Sequence, residues 1–195
     1  MSKGAETRQA ILDRALDLSS VVGLEGVSIG RLADEMELSK SGLFAHFGSK
    51  EALQIGVLEA AAERFVDIVV RPALKAPRGE RRVRALLERW LEWARVLPGG
   101  CVFVTAAVEL DDRPGPVRDT LVRLQRDWVD VLTTSVRAAV ESGEFRPTLD
   151  AARFAQEIYG LALAHYHFSR LLGDADSEAR TRASFEEMVA RARAS

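Results

Sequence analysis

The sequence of 195 residues predicts an all-α fold, with a small three-helix head followed by a larger helical body. Apolar residues recur three and four positions apart along most of the chain, which is the period of one helix face. Proline and glycine are sparse and fall between these patterns, where helices end. Strand-like alternation of apolar and polar residues does not extend over any useful length. Together the patterns predict about nine helices.

The head begins with a helix expected from Thr7 to about Val22. Thr7 is a suitable N-cap, because a hydroxyl oxygen can accept from the N–H groups of a first turn. Gly23 ends the helix, since glycine adopts the left-handed conformation common after a last turn. The apolar face repeats at helical spacing through Ile11, Ala15, Leu18 and Val22.

Two short helices follow, expected over about 29–36 and 40–46, with Ser28 and Ser39 at their N-cap positions. The second is only about two turns long, too short to persist without packing. Leu43 and Phe47 provide its apolar face, so its polar residues point outward. A short polar helix held by a tight turn after another helix is typical of a helix-turn-helix, whose second helix enters the DNA major groove.

The body is predicted to contain six further helices. Ser49 caps the first of these, which runs toward Val70 and is stopped by Pro72. The turn Pro98-Gly99-Gly100 separates the next pair, and Gly143 and Gly173 end later helices. The remaining helices are expected over 79–96, 101–110, 117–142, 150–172 and 177–193. We therefore divide the chain into domains at 1–48 and 49–195.

Composition and charge restrict the function classes. The chain is 47% hydrophobic and 29% charged with a net charge of −2, which does not favour indiscriminate nucleic-acid binding. The segment from Leu38 to Lys50 is locally positive, with two lysines, a histidine and no acid. The sequence lacks an apolar run of the ~18 residues that a membrane span needs and an apolar secretory segment at its start. We expect a cytoplasmic protein with no membrane partner.

The run LFAHFGSKEAL from Leu43 to Leu53 resembles the segment L-Y-x-H-F-x-S-K-E-x-L of the TetR family of bacterial transcriptional regulators. The resemblance extends over roughly residues 5–55, and the body resembles the family more loosely. It implies an operator-binding regulator, most often a repressor, that binds palindromic double-stranded DNA as a homodimer. It also implies DNA contacts from Thr7, Ser28, Arg31, Ser39, Lys40, Ser41, Gly42, Phe44, His46 and Lys50.

Two positions depart from the family pattern. Phe44 stands where tyrosine is common, which removes a hydroxyl and costs roughly 1 kcal/mol if that group bound phosphate. Glu37 stands in the turn where glycine is common. Either Glu37 adopts a positive φ, at a cost of about 1–2 kcal/mol, or the turn is built differently.

Ordinary core packing is the better explanation for any single aromatic residue of the body, but as a set these residues suit a mostly apolar pocket with a few polar groups. The resemblance adds that such bodies bind a small effector, here expected to be apolar or aromatic. The expected wall residues are Trp90, Phe103, Ala107, Trp128, Tyr159 and His165.

The last two helices carry more apolar residues than one partner helix can cover. In the family these helices form a four-helix dimer interface with a second subunit, as two recognition helices on a palindrome require. The residues assigned to that interface are Phe154, Ile158, Leu161, Phe168, Phe185 and Met188.

Competing functions are an all-α enzyme and a helical interaction protein with a vestigial head. The enzyme lacks support, because the sequence shows no glycine-rich phosphate loop, metal-ligand cluster or nucleophile with an evident base. His165 and His167 point in different directions on a helix, so we expect no metal and no cofactor. Cys101 is either a redox sensor or, in its apolar surroundings, inert packing.

Overall fold

The computed structural model describes residues 3–194, which form nine helices. Two of them include a wider π-helical turn, at Val66–Val70 and at His167–Leu171. The helices are α1 (Lys3–Val22), α2 (Ile29–Glu35), α3 (Lys40–Phe47), α4 (Lys50–Phe65, then Val66–Val70 and Arg71–Leu74), α5 (Glu80–Trp93), α6 (Val102–Leu110), α7 (Pro116–Glu141), α8 (Ala151–Tyr166, then His167–Leu171) and α9 (Ser177–Ala192). Residues 3–194 form no β-sheet, only an isolated bridge between Phe145 and Arg193. The all-α prediction is confirmed.

Two predicted helix ends are wrong. Thr7 is not an N-cap, because α1 is already helical at Lys3. Pro72 does not stop α4, because the π-helical turn precedes it and Pro72 lies in the first turn of the segment Arg71–Leu74. A first helical turn tolerates proline, since an N–H there would have no helical partner.

The chain divides into two compact units that differ from the division predicted at residue 48. The first unit contains the chain up to Phe65 together with Val96–Gln125. The second contains Val66–Arg95 and the chain from Arg126 onward. The head is thus grouped with the first part of α4, with α6 and with the start of α7. The functional boundary at 48 stays a prediction.

The core of the first unit is built between α1 and α4, with α6 packed against both. Ile11 and Leu16 of α1 and Leu53 and Val57 of α4 are buried. Phe103 of α6 meets the ring of Phe65 edge to face at 6.2 Å, a favoured aromatic geometry. The head helices α2 and α3 rest on this α1–α4 pair, so the head is not an independent cluster of three helices.

The second unit is held by α5, α8 and α9 around a core rich in aromatic side chains. Trp93 and Phe145 are fully buried, and Phe145 packs on Phe154 with ring centroids 5.6 Å apart. In residues 3–194, no helix is both long and apolar enough to cross a membrane.

A ladder of ion pairs connects α5 and the residue Arg95 beyond it to α9. Its rungs are Glu80–Arg193, Arg84–Glu186, Glu88–Arg182 and Arg95–Glu178. Glu80 is the least exposed member of this ladder and also binds Arg84, with a distance of 2.7 Å to each arginine. The hydrogen bond from Arg193, followed by that from Arg84, lowers the pKa of Glu80 to about 2 despite partial burial. Its carboxylate is therefore more stable in the folded chain than in the unfolded chain.

Replacing Glu80 with glutamine should lower the free energy of unfolding at neutral pH by roughly 1 kcal/mol. Because the folded pKa is depressed, the contribution is fully present above about pH 4.5 and is lost as pH falls toward about 2. Denaturation of the wild type and of Glu80→Gln across that pH range should show the difference between their free energies of unfolding shrinking toward pH 2. Glu157→Gln, in an exposed pair with Arg153, should change stability little throughout. If that difference is equally large at pH 2 and pH 7, the ion-pair ladder does not stabilise the fold through the Glu80 carboxylate.

Candidate functional site

Serine caps fix the starts of both head helices, as predicted. The Ser28 hydroxyl accepts from the Arg31 N–H at 3.2 Å, and the Ser39 hydroxyl accepts from the Gly42 N–H at 3.0 Å. Each bond satisfies an N–H group that has no partner within its own helix. The start of α3, where base contacts are expected, is therefore held in one conformation.

The turn between α2 and α3 forces Glu37 into the left-handed region, with φ of 55°. The Leu38 N–H donates to the Ala33 carbonyl at 2.9 Å, the six-to-one bond of a Schellman ending. This motif prefers glycine at the Glu37 position. Of the two alternatives for this turn, the structure shows the positive φ, with its cost of about 1–2 kcal/mol.

Packing leaves one side of α3 free. Leu43 is fully buried and holds the helix against α2 and α4. His46 and Phe47 are half-buried, and the guanidinium of Arg8 lies 5.1 Å from the Phe47 ring centre. The exposed side carries Lys40, Ser41, Gly42, Phe44 and Ala45, with Phe44 half exposed. Lys40 and Ser41 on this face offer a positive charge and a hydroxyl, groups that commonly contact DNA.

Other predicted DNA contacts have partners inside the protein. Arg31 pairs with Glu35 at 3.3 Å, and Glu35 also binds Arg14 of α1 at 2.7 Å. Thr7 lies half-buried within α1. Lys50 donates through Nζ to the Glu25 carbonyl at 2.8 Å and to the Glu25 carboxylate at 3.2 Å. A phosphate would have to share or displace these partners.

The loop between α1 and α2 is bound by side chains that the sequence did not assign to it. Glu109 of α6 accepts from the N–H groups of Leu24 at 2.9 Å and Glu25 at 3.1 Å. Gln54 of α4 donates to the Leu24 carbonyl at 3.2 Å. The only signal in the sequence was Glu109 itself, an acid within an apolar run.

Three of the predicted effector residues meet in the second unit. The Trp90 ring lies 5.1 Å from Trp128 and 5.0 Å from Tyr159, centre to centre, and both contacts are edge to face. Trp90 and Trp128 are buried, and Tyr159 is half-buried. This trio is a compact aromatic cluster that could pack as core or form a pocket wall.

The other three predicted wall residues lie elsewhere. Phe103 and Ala107 belong to α6 of the first unit, where Phe103 packs on Phe65 and Ala107 is exposed. The buried His165 has its Nδ1 3.1 Å from the Ser177 hydroxyl. Burial, then the charges of Arg95 and Arg182, lower its pKa, so His165 is neutral at pH 7. The structure thus brings together half of the predicted set.

A cavity of about 340 Å³ opens in the second unit beside α7, at a place the sequence did not indicate. Arg78, Arg82, Asp127 and Asp130 supply charges of both signs around it, and Leu74 and Val131 supply apolar surface. The volume is that of a small-ligand site. Its charged lining differs from the apolar pocket expected.

The predicted subunit-contact residues fall into two groups. Phe154, Ile158, Phe185 and Met188 are buried by their own chain, Leu161 is half-buried, and Phe168 is 45% exposed. Buried side chains can support a contact from beneath but offer little surface to it. The exposed stripe of α8 runs through Gln156, Gly160, Leu163, Ala164, His167, Phe168 and Leu171.

A capped two-helix unit with an exposed, cationic second helix defines the class of helix-turn-helix DNA-binding proteins. Family models agree: residues 11–55 match "Bacterial regulatory proteins, tetR family", and residues 79–185 match "Tetracyclin repressor-like, C-terminal domain". The chain belongs to the TetR family of DNA-binding transcriptional regulators.

Relatives extend the comparison over most of the chain. It is 30% identical over 148 residues to the HTH-type transcriptional regulator RutR of Escherichia coli K12, an alignment that covers 72% of this chain but only 65% of RutR. A TetR transcriptional regulator from Chloroflexus aurantiacus matches with a TM-score of 0.83 and 26% identity over the full length of both chains. AibR, solved in complex with isovaleryl coenzyme A and operator DNA, matches with a TM-score of 0.72 and 22% identity over 91% of this chain and 95% of its own.

Glycine at position 37 should relieve the strained turn. Glu37→Gly is expected to raise the free energy of unfolding by about 0.5–1 kcal/mol, because glycine adopts positive φ without a steric penalty but has more entropy to lose on folding. Glu63→Gly, at an exposed position within α4, should instead lower it by about 1 kcal/mol. Urea denaturation compares the two. Equal losses for both variants would show that position 37 is not strained.

Proposed function

We propose that the protein is a repressor that binds a palindromic operator as a homodimer and is released by a small effector. One observation carries the proposal: the capped start of α3 exposes Lys40, Ser41 and Gly42 on a rigid support. In this arrangement Ser41 and Gly42 approach base edges in the major groove, and Lys40 lies against bases or a nearby phosphate. AibR, which is similar in fold, was solved with both operator DNA and a small ligand. This supports the same combination of DNA binding and ligand binding here.

Contacts around α3 orient it on the duplex. Phe44 and His46 face the sugar–phosphate backbone, and Lys50 binds a phosphate beside the first-turn N–H groups of α4. The remaining candidates for DNA contact are Ser28, Ser39, Arg31 and Thr7. With net charge −2, non-specific attraction to DNA is weak, so binding depends on two α3 helices engaging together.

The second copy docks on the exposed stripe of α8. That stripe combines apolar side chains at Leu163, Phe168 and Leu171 with the small residues Gly160 and Ala164, which permit close helix approach. An isologous contact through this face gives the two-fold symmetry that a palindrome demands. Phe154, Ile158, Phe185 and Met188 support the face from the core, and Leu161 lies at its border.

The effector binds in the second unit, with the aromatic trio Trp90, Trp128 and Tyr159 as its wall. These side chains combine large apolar area with a polar group on each ring. The case for effector contact is weaker for the other three predicted wall residues, Phe103, Ala107 and His165. Binding would stabilise a conformation whose two α3 helices do not fit successive major grooves, which requires unequal affinity for the two states.

The function is tested by selecting duplexes from a random DNA pool with the full-length chain. The expected product is a palindrome with half-sites about 34–36 Å apart or a multiple of that distance. Failure to enrich any sequence with a folded, dimeric protein would argue for the helical interaction protein instead.

Lys50→Ala should weaken binding to all sequences alike and reduce the slope of log K against log salt by about 0.9 per chain. Ser41→Ala should change the preferred base at one position of each half-site. Salt titrations and a repeated selection measure the two effects. Lys75→Ala, an exposed lysine of the second unit, should change neither. A base preference altered by Lys50→Ala would contradict its assignment to phosphate.

Phe168→Glu should shift the chain to monomers and reduce operator affinity by at least about tenfold, because a charge would be buried in the subunit contact. Sedimentation velocity and DNA titration report the two effects. Val129→Glu, at an apolar position of α7 exposed to a similar degree, is the matched control and should leave the dimer intact. Phe185 is 3% exposed, so a charge there tests folding rather than assembly. A stable Phe168→Glu dimer would place the contact elsewhere.

Trp128→Ala distinguishes between two roles of Trp128, as a residue that lines the effector site or as a residue of the packed core. As a wall residue, its loss should weaken effector-triggered DNA release more than DNA affinity. As core, its loss should lower the free energy of unfolding by about 3–5 kcal/mol. Thermal melts and DNA release by a panel of apolar and aromatic compounds give both readouts. If Asp130→Asn abolishes release while the folded fraction of Trp128→Ala responds normally, the charged cavity beside α7 is the effector site.

A further inference from the structure

The peptide groups of Leu24 and Glu25 are held by side chains from distant parts of the first unit. Both N–H groups donate to one oxygen of Glu109, at 2.9 and 3.1 Å. The Leu24 carbonyl accepts from Gln54, and the Glu25 carbonyl accepts from Lys50. All four main-chain groups are therefore satisfied by side chains, so the loop is fixed without belonging to a helix.

The fixed loop places the Glu25 carboxylate against Lys50. One carboxylate oxygen lies 3.2 Å from the Lys50 ammonium, and the other accepts from Gln54 Nε2 at 2.9 Å. The Gln54 hydrogen bond, followed by the contacts with Lys50, lowers the pKa of Glu25. The carboxylate is thus fully ionised at neutral pH and attracts the ammonium.

Lys50 is also the side chain assigned to a DNA phosphate under the proposed function, on which this inference rests. A carboxylate and a phosphate compete for the same ammonium, because both are anions that accept charge-assisted hydrogen bonds. We propose that Glu25 is an internal competitor that occupies Lys50 in the free protein and thereby lowers DNA affinity. Operator binding must weaken this contact before the phosphate contact reaches full strength.

Glu109 is the positioning residue for Glu25. Its carboxylate approaches the loop so closely that a Cβ on Gly23 would lie 1.8 Å from Glu109 Oε1. Gly23 also has φ of 80°, so a side chain is disfavoured there for two separate reasons. The availability of Lys50 to DNA therefore depends on where α6 holds the loop.

A double-mutant cycle between Glu25 and Lys50 tests the competition. The four proteins are wild type, Glu25→Gln, Lys50→Ala and the double variant, titrated at fixed salt against the duplex that the wild type selects. Glu25→Gln should tighten binding about two- to fivefold, the range that an exposed ion pair contributes. In the Lys50→Ala background, the same change should have an effect of less than about 1.5-fold, since the competed group is absent.

Glu51→Gln is the matched control, because it removes a negative charge next to Lys50 without touching the loop. It should tighten binding equally with and without Lys50. Adding Glu109→Ala to the cycle should reduce the coupling between Glu25 and Lys50 by at least half. Thermal melts identify any variant whose fold is lost. If Glu25→Gln does not fold, Glu25→Asp is the milder change, because it keeps the charge on a shorter side chain. It should tighten binding less than twofold.

The sign of the effect decides the outcome. Weaker DNA binding by Glu25→Gln would show that Glu25 presents Lys50 to DNA rather than competing for it, and would overturn the proposal. An equal effect in both Lys50 backgrounds would also overturn it, as a general charge effect. If the wild type selects no duplex at all, the proposed function fails, which is a different result from a cycle without coupling.

Discussion

The proposed DNA-reading surface of α3 depends on the burial of Leu43. Helix α3 has eight residues, and a helix of this length is unstable in isolation. Its only fully buried side chain is Leu43, which anchors it to α2 and α4. The Ser39 cap and the Schellman ending of α2 then fix where the helix begins. The buried face supplies the stability of α3. The residues of its exposed polar face therefore need not stabilise the helix and can instead suit contact with DNA.

The support under α3 is larger than a three-helix head. Glu35 holds α1 to α2 through Arg14, and Glu109 of α6 binds the loop between these helices. The first unit consequently includes α6 and part of α4 and α7. Movement of α6 would reach the loop through two hydrogen bonds and the close approach at Gly23. The loop in turn contacts Lys50, the lysine proposed to bind a phosphate.

Local signals in the sequence predicted the local structure well. Ser28 and Ser39 cap their helices as predicted, because a cap depends on residues within one turn. For Glu37 the sequence left two alternatives open, and the structure shows the positive φ. The end of α4 was mispredicted at Pro72, because a π-helical turn changes the position of proline relative to the helix and leaves no signature in hydrophobic spacing.

Long-range pairing could not be predicted in the same way. The partner of Lys50 is 25 residues away, and Glu109 is 85 residues from Leu24; nothing in residue spacing links them. Helical periodicity identified apolar stripes on α8 and α9 but not which stripe faces its own chain. Phe154 and Phe185, which were assigned to the subunit contact, are buried within their own chain. Ala107 was placed at a pocket for the same reason, and α6 exposes it.

The most direct test of α3 as the DNA-reading helix is a crystal structure of the full-length chain bound to its selected duplex. We expect one α3 in the major groove of each half-site, with Lys40, Ser41 and Gly42 nearest the base edges. We also expect Lys50 Nζ within about 3 Å of a phosphate oxygen. A complex in which α3 faces solvent and another surface contacts the DNA would contradict this role of α3.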